Sequence, residues 1–182
     1  MKKKMNKIEQ NMENRIKKYG EVFTPPSLVS QMLDKLPPSC FNRNITFCDP
    51  ACGNGNMIVP VLYEKLKRGH DPLEALKTIY GVDIMRDSVK ECRRRLLKTV
   101  SIFETVTEEH VKTVFINIRL ININKHPGGS LDYDFSFTSN KHKQSDIDRW
   151  MDWIENYNFL DNLDLPIEET EDGFGTQKRL EF

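Results

Sequence analysis

A glycine-containing loop directly after a short apolar run is the feature that most restricts how this 182-residue chain can fold. Residues 45–48 are predicted to form a short buried strand, and residues 49–56 leave its carboxyl end. Gly53 and Gly55 can adopt positive φ, and they have no side chain to keep a ligand away from the backbone. Residues 57–67 then carry apolar side chains at helical spacing. The pattern predicts a strand, a ligand-binding loop and a helix.

The same alternation continues after this loop. Residues 71–72 (Asp-Pro) are a typical helix start, with Asp as the cap and Pro in the first turn. Residues 78–83 are predicted to form a second strand, and residues 87–98 a helix with one apolar face. Strands that alternate with helices favour parallel pairing through right-handed crossovers. We therefore predict an α/β fold with a doubly wound, mostly parallel sheet and an N-terminal helical segment.

The flanking regions have weaker patterns. At the N-terminal side we predict helices at residues 6–18 and 27–36, the second capped by Ser27. Beyond residue 100, residues 108–115 are compatible with a helix. Four further apolar positions alternate and favour a strand: Val114, Ile116, Ile118 and Leu120. Residues 131–137 are predicted to begin another βα unit, and residues 146–159 to form a helix.

The two ends of the chain carry opposite charge. Lys and Arg dominate residues 1–18, whereas Asp and Glu dominate residues 152–182. A basic arm could contact a phosphate backbone, because neutralised phosphates release counterions; the alternative is a solvated amphipathic helix. We predict a basic helical arm at residues 1–18, a ligand-binding domain at 19–160 and an acidic, flexible tail at 161–182.

Apolar runs and cysteines restrict the cellular setting. No apolar run approaches the roughly 20 residues that span a bilayer, and no secretory signal follows the basic N-terminus. We therefore expect a cytoplasmic protein. The cysteines have no zinc-ligand spacing, so we expect reduced, partly buried thiols and no metal site. They are Cys40, Cys48, Cys52 and Cys92.

The loop is a poor match to phosphate-binding sequences. It lacks the Lys of a P-loop and the third Gly of the dinucleotide fingerprint. A ligand with an amino acid moiety fits better, because Asp49 at the strand end can accept hydrogen bonds from an ammonium group. Asp83 ends the second strand and can accept hydrogen bonds from ribose hydroxyls, as acidic residues do in dinucleotide sites. The following Ile84 can lie against an adenine face.

These motifs together resemble the adenine-N6 DNA methyltransferases of type I and type IIG restriction-modification systems. The resemblance covers residues 20–26 (GEVFTPP), 49–56 (DPACGNGN) and 80–83 (YGVD), followed by an Arg-Leu-rich helix. Residues 129–137 are similar to the next family segment. The resemblance implies a methyltransferase-like, S-adenosylmethionine-binding domain at residues 19–160 and DNA as the partner.

The resemblance also implies a role for each candidate residue. The segment Phe23, Thr24 and Pro25 would line the methionine end of the cofactor, and Asp83 and Ile84 would hold ribose and adenine. Asp132 would replace the family's usual Asp that contacts the adenine amino group. The amino acid moiety would be held by the loop residues Asp49, Pro50, Ala51, Cys52, Gly53, Gly55 and Asn56.

One family motif is absent from the sequence. The catalytic Asn/Asp-Pro-Pro-Tyr/Phe segment accepts hydrogen bonds from N6 of a flipped-out adenine, and no proline pair in this chain has those flanking residues. The catalytic residues are thus unknown, with Asp134, Asn140 and Asp164 as candidate replacements, or a protein partner supplies them. The alternative is an inactive cofactor-binding remnant or regulatory partner. An RNA or protein methyltransferase is a third hypothesis, since fold does not fix function.

Two groups of aromatic residues could stack on an extruded base, although core packing or an interface is the favoured interpretation of both. The first group alternates as a strand would, and the second follows one predicted helix. The first consists of Tyr133, Phe135 and Phe137, and the second of Trp150, Trp153, Tyr157 and Phe159.

Overall fold

The computed structural model describes residues 7–19, 22–120 and 144–156. Two helices come first, α1 and α2, and a short 3₁₀ helix at Pro38–Phe41 follows them. The remaining elements are three strands and five helices. In chain order the elements are α1 (Lys7–Tyr19), α2 (Pro26–Asp34), β1 (Phe47–Asp49), α3 (Ile58–Lys67), α4 (Pro72–Leu76), β2 (Ile79–Asp83), α5 (Arg86–Ser101), α6 (Glu108–Asn117), β3 (Ile118–Leu120) and α7 (Gln144–Asn156).

The three described strands form a parallel sheet in the order β1-β2-β3. In register, Asp49 of β1 lies opposite Gly81 of β2, and Gly81 lies opposite Ile118 of β3. All three strands therefore end at the same edge, and Asp49 and Asp83 stand at neighbouring strand ends. The predicted α/β fold with a parallel sheet and an N-terminal helical segment is confirmed.

The core lies between the sheet and helices α3 to α6. Its fully buried members include Leu62 of α3, Leu97 of α5 and Ile118 of β3. Helix α7 adds Ile147 to this core, and the ring of Trp150 meets Phe115 edge-on at a centroid distance of 5.4 Å. Core packing, the favoured interpretation for Trp150, is confirmed. The other aromatic candidates lie outside the residues whose side chains the structure describes.

Three local expectations were wrong. The first strand is Phe47–Asp49, and its central residue, Cys48, is exposed rather than buried, whereas Phe47 and Asp49, on the other face of the strand, are half-buried. Pro25, not Ser27, is the cap residue of α2, because Pro26 already occupies the first helical turn. The third strand covers only Ile118–Leu120.

The third error has a specific cause. Val114 and Ile116 belong to α6, whose first turn is fixed by Thr107 and His110 through reciprocal hydrogen bonds. The backbone N–H of Thr107 donates to Nδ1 of His110 over 3.0 Å. Val111, Val114 and Phe115 then face the core at helical spacing. The apparent alternation of apolar residues arises where this helical stripe runs into β3.

Helix α1 is attached to the domain by its arginine. Arg15 forms an ion pair with Asp87 and donates a hydrogen bond to Oγ of Ser88 over 3.3 Å, both in the first turn of α5. The hydrogen bond from Arg15 lowers the pKa of Asp87. The division into an arm, a domain and a tail stays a prediction, and residues 161–182 lie outside the described part. Among the described helices none is long and apolar enough to cross a membrane.

Lys65 of α3 joins the amino-terminal ends of β1 and β2. Its side chain is fully buried, and burial lowers its pKa. Nζ donates to the carbonyl of Ile45 over 2.6 Å, to Oγ1 of Thr78 over 2.7 Å and to the carbonyl of Asn42 over 3.3 Å. One ammonium group thus satisfies three oxygens at the entry to both strands.

We expect Lys65→Met to lower the free energy of unfolding by about 2 kcal/mol, because buried acceptors lose their donor. Urea denaturation followed by circular dichroism measures this change. The matched control is Lys90→Met on the exposed face of α5, which should change stability by less than about 0.5 kcal/mol. Equal effects of the two substitutions would contradict a structural role for the buried ammonium.

Candidate ligand-binding site

The loop between β1 and α3 is held by its own backbone hydrogen bonds. The N–H of Ala51 donates to Oδ1 of Asp49 over 3.0 Å, and the N–H of Gly55 donates to the carbonyl of Cys52 over 2.8 Å. The N–H of Cys52 reaches the carbonyl of Val82 in β2 over 2.9 Å. These donors are used within the protein, whereas a phosphate-binding loop turns its N–H groups toward the ligand. The geometry agrees with the rejection of a phosphate site.

Asp83 connects the loop to the second strand. Its Oδ2 accepts the N–H of Gly53 over 2.9 Å, and its Oδ1 accepts the N–H of Met85 over 2.7 Å. A carboxylate has about four lone-pair sites, so two bonds leave acceptor capacity. The half-buried Asp83 can therefore hold the loop and still accept hydrogen bonds from a ligand.

Two glycines have backbone conformations that fit the sequence-based argument. Gly53 has φ of 51° and Gly55 has φ of 91°. A Cβ on Gly55 would lie 2.9 Å from Sγ of Cys92 and 3.0 Å from Cγ2 of Val59. The loop thus lies so close to α5 and α3 that a side chain at residue 55 has no room.

The segment at Phe23, Thr24 and Pro25 contacts the loop. Nδ2 of Asn56 donates to the carbonyl of Thr24 over 3.0 Å. The ring of Phe23 lies 3.4 Å from the position that a Cβ on Gly53 would take. Three motifs separated in sequence, those at residues 23–25, 49–56 and 83–84, therefore meet at one edge of the sheet.

Arg95 of α5 holds the loop by two hydrogen bonds, a role that the sequence pattern did not predict. Its Nη1 donates to the carbonyl of Asn54 over 3.0 Å and to Oδ1 of Asn56 over 2.7 Å. The side chain is buried, and burial lowers its pKa. A signal was present, because Arg95 follows Cys92 by three residues on the inward stripe of the helix. A cation at such a position indicates a specific buried acceptor.

The two strand-end carboxylates give the site an acidic character. Burial raises the pKa of Asp49, the Ala51 N–H opposes this, and the nearby charge of Asp83 raises it further. A cationic group between them would relieve the repulsion that each carboxylate exerts on the other. The site therefore favours a ligand with an ammonium or sulfonium group.

All four cysteines carry free thiols. Cys52 of the loop and Cys92 of α5 are both buried, and the hydrogen bond between them, together with burial, raises the pKa of Cys52. Partial desolvation and the charge of Asp49 raise the pKa of Cys48, although its side chain is largely exposed. The side chain of Cys52 packs against the backbone of Gly81, so its contact with a ligand would come from its backbone. Among the described residues, no group of three or more acidic, His or Cys side chains is arranged to hold a metal.

The remaining candidates lie at the rim of the site or outside the described residues. Pro50, Ala51 and Pro25 are exposed at the loop surface, and Ile84 is 40% exposed directly after β2. Asp132 lies outside the described residues, so the structure does not test its predicted contact with adenine.

A mostly apolar cavity of about 330 Å³ adjoins the loop. Asp49 and Pro50 form part of its wall, and α2 and α3 contribute two residues each. The other lining residues come from β1 and from the positions shortly after α2 and directly before α3. Its size lies within the range of small-molecule pockets, about 300–1,000 Å³. The lining residues are Met32, Leu33, Leu36, Phe47, Cys48, Asp49, Pro50, Met57, Ile58 and Val61.

Fold and site together define an α/β domain that presents acidic groups and a glycine loop at the carboxyl ends of parallel strands. The family model of the N-6 DNA methylases matches residues 7–125. Since this match covers more than half of the chain, the protein belongs to the N-6 DNA methylase family, whose members generally use S-adenosylmethionine.

A curated relative supports this assignment. The chain is 34% identical over 101 residues to the type II methyltransferase M.VspI of Vibrio sp. (strain 343). The aligned region is 56% of this chain and 22% of the relative, so the chain spans about a fifth of that protein's length. No solved structure matches the chain.

We expect Gly55→Ala to lower the free energy of unfolding by about 3 kcal/mol, because positive φ and a close contact act together. Gly69→Ala is the matched control, since Gly69 has φ of 80° and a Cβ there meets nothing within 4 Å. We expect Gly69→Ala to lower the free energy of unfolding by about 1 kcal/mol, because only the positive φ opposes the new side chain. Urea denaturation measures both values, and a control as destabilised as Gly55→Ala would contradict the packing argument.

Proposed function

We propose that this chain binds S-adenosylmethionine at the edge of the sheet where Asp49 and Asp83 meet. The observation that carries the proposal is the convergence of both carboxylates with the residue 23–25 segment around one internally bonded loop. Asp49 would accept hydrogen bonds from the cofactor's ammonium group. Asp83 and Ile84 would hold the ribose and adenine, and Phe23, Thr24 and Pro25 would line the methionine end.

The residues present fit the chemistry of this cofactor. Its ammonium and sulfonium groups are cationic, and the site offers two carboxylates at adjacent strand ends. In addition, Oδ1 of the buried Asn54 has no hydrogen-bond partner within the described part of the chain. Buried acceptors are rarely left unpaired, so this oxygen within the loop favours a ligand that carries donors.

We propose further that the cofactor serves methyl transfer to N6 of adenine in DNA. The bound sulfonium supplies the methyl group, and the chain's own residues hold and orient it. The family's acceptor motif for adenine N6 is absent from the sequence. The candidates for this acceptor are Asp134, Asn140 and Asp164, all outside the described residues, and a group on a partner protein. DNA as substrate and a cytoplasmic location are parts of this proposal.

A second candidate function is a cofactor-binding protein that regulates a restriction-modification or anti-restriction system without transferring methyl groups. The absence of an Asn/Asp-Pro-Pro-Tyr/Phe segment favours it. Both candidates share the cofactor site, so binding and methyl transfer have to be measured separately.

Calorimetric titration with S-adenosylmethionine tests the site. Asp49→Asn keeps an oxygen that can accept the Ala51 N–H but removes the charge, and we expect it to weaken binding by about tenfold or more. Asp34→Asn on the exposed surface of α2 is the charge-matched control and should leave affinity unchanged. Equal affinities of wild type and Asp49→Asn, or no binding by wild type, would refute the proposed site.

The raised pKa of Asp49 predicts a pH dependence of binding. The ammonium group requires the ionised carboxylate, so affinity should fall as pH decreases. The fall should begin at a higher pH than for an ordinary aspartate, whose pKa is about 3.9. Binding near this pKa should release a proton, because the cation favours the ionised form. Titrations in buffers of different ionisation enthalpy measure that proton, and Asp49→Asn should abolish its release.

A methyl-transfer assay distinguishes the two candidate functions. Radiolabelled S-adenosylmethionine is incubated with the protein and unmodified DNA, alone and with the products of neighbouring genes. If the chain is an enzyme, label appears in N6-methyladenine, and Asp49→Asn reduces the rate in proportion to cofactor occupancy. A folded, cofactor-binding protein that labels no DNA under either condition would leave the regulatory role.

A further inference from the structure

Two parts of the site come from distant sequence positions and are joined by a single side chain. The carboxamide of Asn56 uses both of its ends: Nδ2 donates to the carbonyl of Thr24, and Oδ1 accepts from Arg95. Asn56 therefore lies between the residue 23–25 segment and α5. Its carboxamide is engaged by the protein rather than turned toward a ligand.

Arg95 determines how Asn56 can be oriented. An arginine nitrogen donates and never accepts, so only the oxygen of the carboxamide can face Nη1. The amide nitrogen must then point in the other direction, where the Thr24 carbonyl accepts it at 3.0 Å. The same Nη1 also binds the carbonyl of Asn54. One guanidinium thus fixes the loop backbone and the orientation of the connecting side chain.

We propose that Arg95 and Asn56 are positioning residues that set the distance between the glycine loop and the segment at Thr24 and Pro25. This inference rests on the proposed function, in which that segment lines the methionine end of S-adenosylmethionine. The ribose and adenine end is anchored differently, because Asp83 and Ile84 lie at the end of β2 and receive no hydrogen bond from Arg95 in the described structure.

The proposal predicts a change that depends on the ligand. Loss of the Arg95–Asn56–Thr24 chain should weaken contacts with the amino acid moiety and leave contacts with the nucleoside. 5′-Methylthioadenosine keeps the adenosine and the sulfur atom but lacks the amino acid. A role confined to folding would instead lower the amount of active protein and affect both ligands equally.

The experiment compares dissociation constants for the two ligands by calorimetry, at a temperature where denaturation curves show each variant folded. For Arg95→Met and Asn56→Ala we expect affinity for S-adenosylmethionine to fall about tenfold, the size of a lost charge-assisted hydrogen bond. Affinity for 5′-methylthioadenosine should change by less than about twofold. Arg95→Lys keeps the charge without the planar fork and should give an intermediate loss.

Arg94→Met is the matched control. Arg94 lies on the same helix and pairs with Glu91, outside the Arg95–Asn56–Thr24 chain, so its removal should leave both affinities unchanged. The double variant Arg95→Met/Asn56→Ala should lose no more affinity than the worse single variant, because both substitutions break one chain. Additive losses would contradict a shared role.

The outcomes separate this inference from the proposed function. Wild-type protein that binds neither ligand overturns the proposed function and the inference together. Wild-type binding with equal changes for both ligands in the variants, or with no change, overturns the inference alone. If Arg95→Met does not fold, Asn56→Ala still decides the question, since Asn56 is only half-buried.

Discussion

The bond from the N–H of Gly53 to the carboxylate of Asp83 is the interaction on which the site depends. It ties the loop after β1 to the end of β2, and it is possible because parallel pairing brings the carboxyl ends of both strands to one edge. The second oxygen of Asp83 receives the N–H of Met85, at the start of α5. The hydrogen bonds of one carboxylate therefore join a loop, a strand and the start of a helix before any ligand binds.

Buried and half-buried cations stabilise the framework around this bond. Lys65 lies at the amino ends of the strands, and Arg95 lies under the loop at their carboxyl ends. Arg93 donates to the carbonyls of Phe115 and Ile118, where α6 passes into β3, and lies 4.1 Å from the centre of the Phe115 ring. Each donates to neutral oxygens. Burying a charge is costly unless several acceptors surround it. The fold must therefore bring oxygen acceptors to each of these three cations.

The run of three arginines in α5 shows how neighbouring residues of one type acquire different roles. Arg93 contacts the junction of α6 and β3, Arg94 pairs with Glu91 on its own helix, and Arg95 reaches the loop. The helix turns by about 100° per residue, so consecutive side chains face different neighbours. A sequence motif that treats the three as one Arg-rich segment cannot separate these roles.

Hydrophobic periodicity and glycine placement were sufficient to predict the order of β1, α3, α4, β2 and α5. These signals are local: a stripe on α3, an Asp-Pro start for α4, and two glycines after a short strand. The Asp71 cap is an example, since its Oδ1 accepts the Glu74 N–H over 2.9 Å as the pattern predicts.

What the sequence did not predict depends on contacts between distant residues. The exposure of Cys48 depends on which distant elements pack against its face of β1, which strand propensity does not encode. The link from Arg95 through Asn56 to Thr24 joins residues 71 positions apart, by the difference of their numbers. The position of Asn56 in the loop predicted a contact with the ligand. Its carboxamide instead forms hydrogen bonds with two protein groups, the Thr24 carbonyl and Arg95.

Cofactor binding and methyl transfer place different physical demands on a chain of this family. Binding requires fixed acceptors and a shaped loop, and those groups stand at the ends of two adjacent strands. Transfer to adenine also requires acceptors for the N6 hydrogens of a flipped-out base. On the proposed function, this chain, which spans about a fifth of its relative's length, supplies the acceptors and the loop that cofactor binding requires. Residues 1–182 contain no Asn/Asp-Pro-Pro-Tyr/Phe segment that would supply the acceptors for adenine N6, so cofactor affinity and methyl-transfer rate depend on different groups.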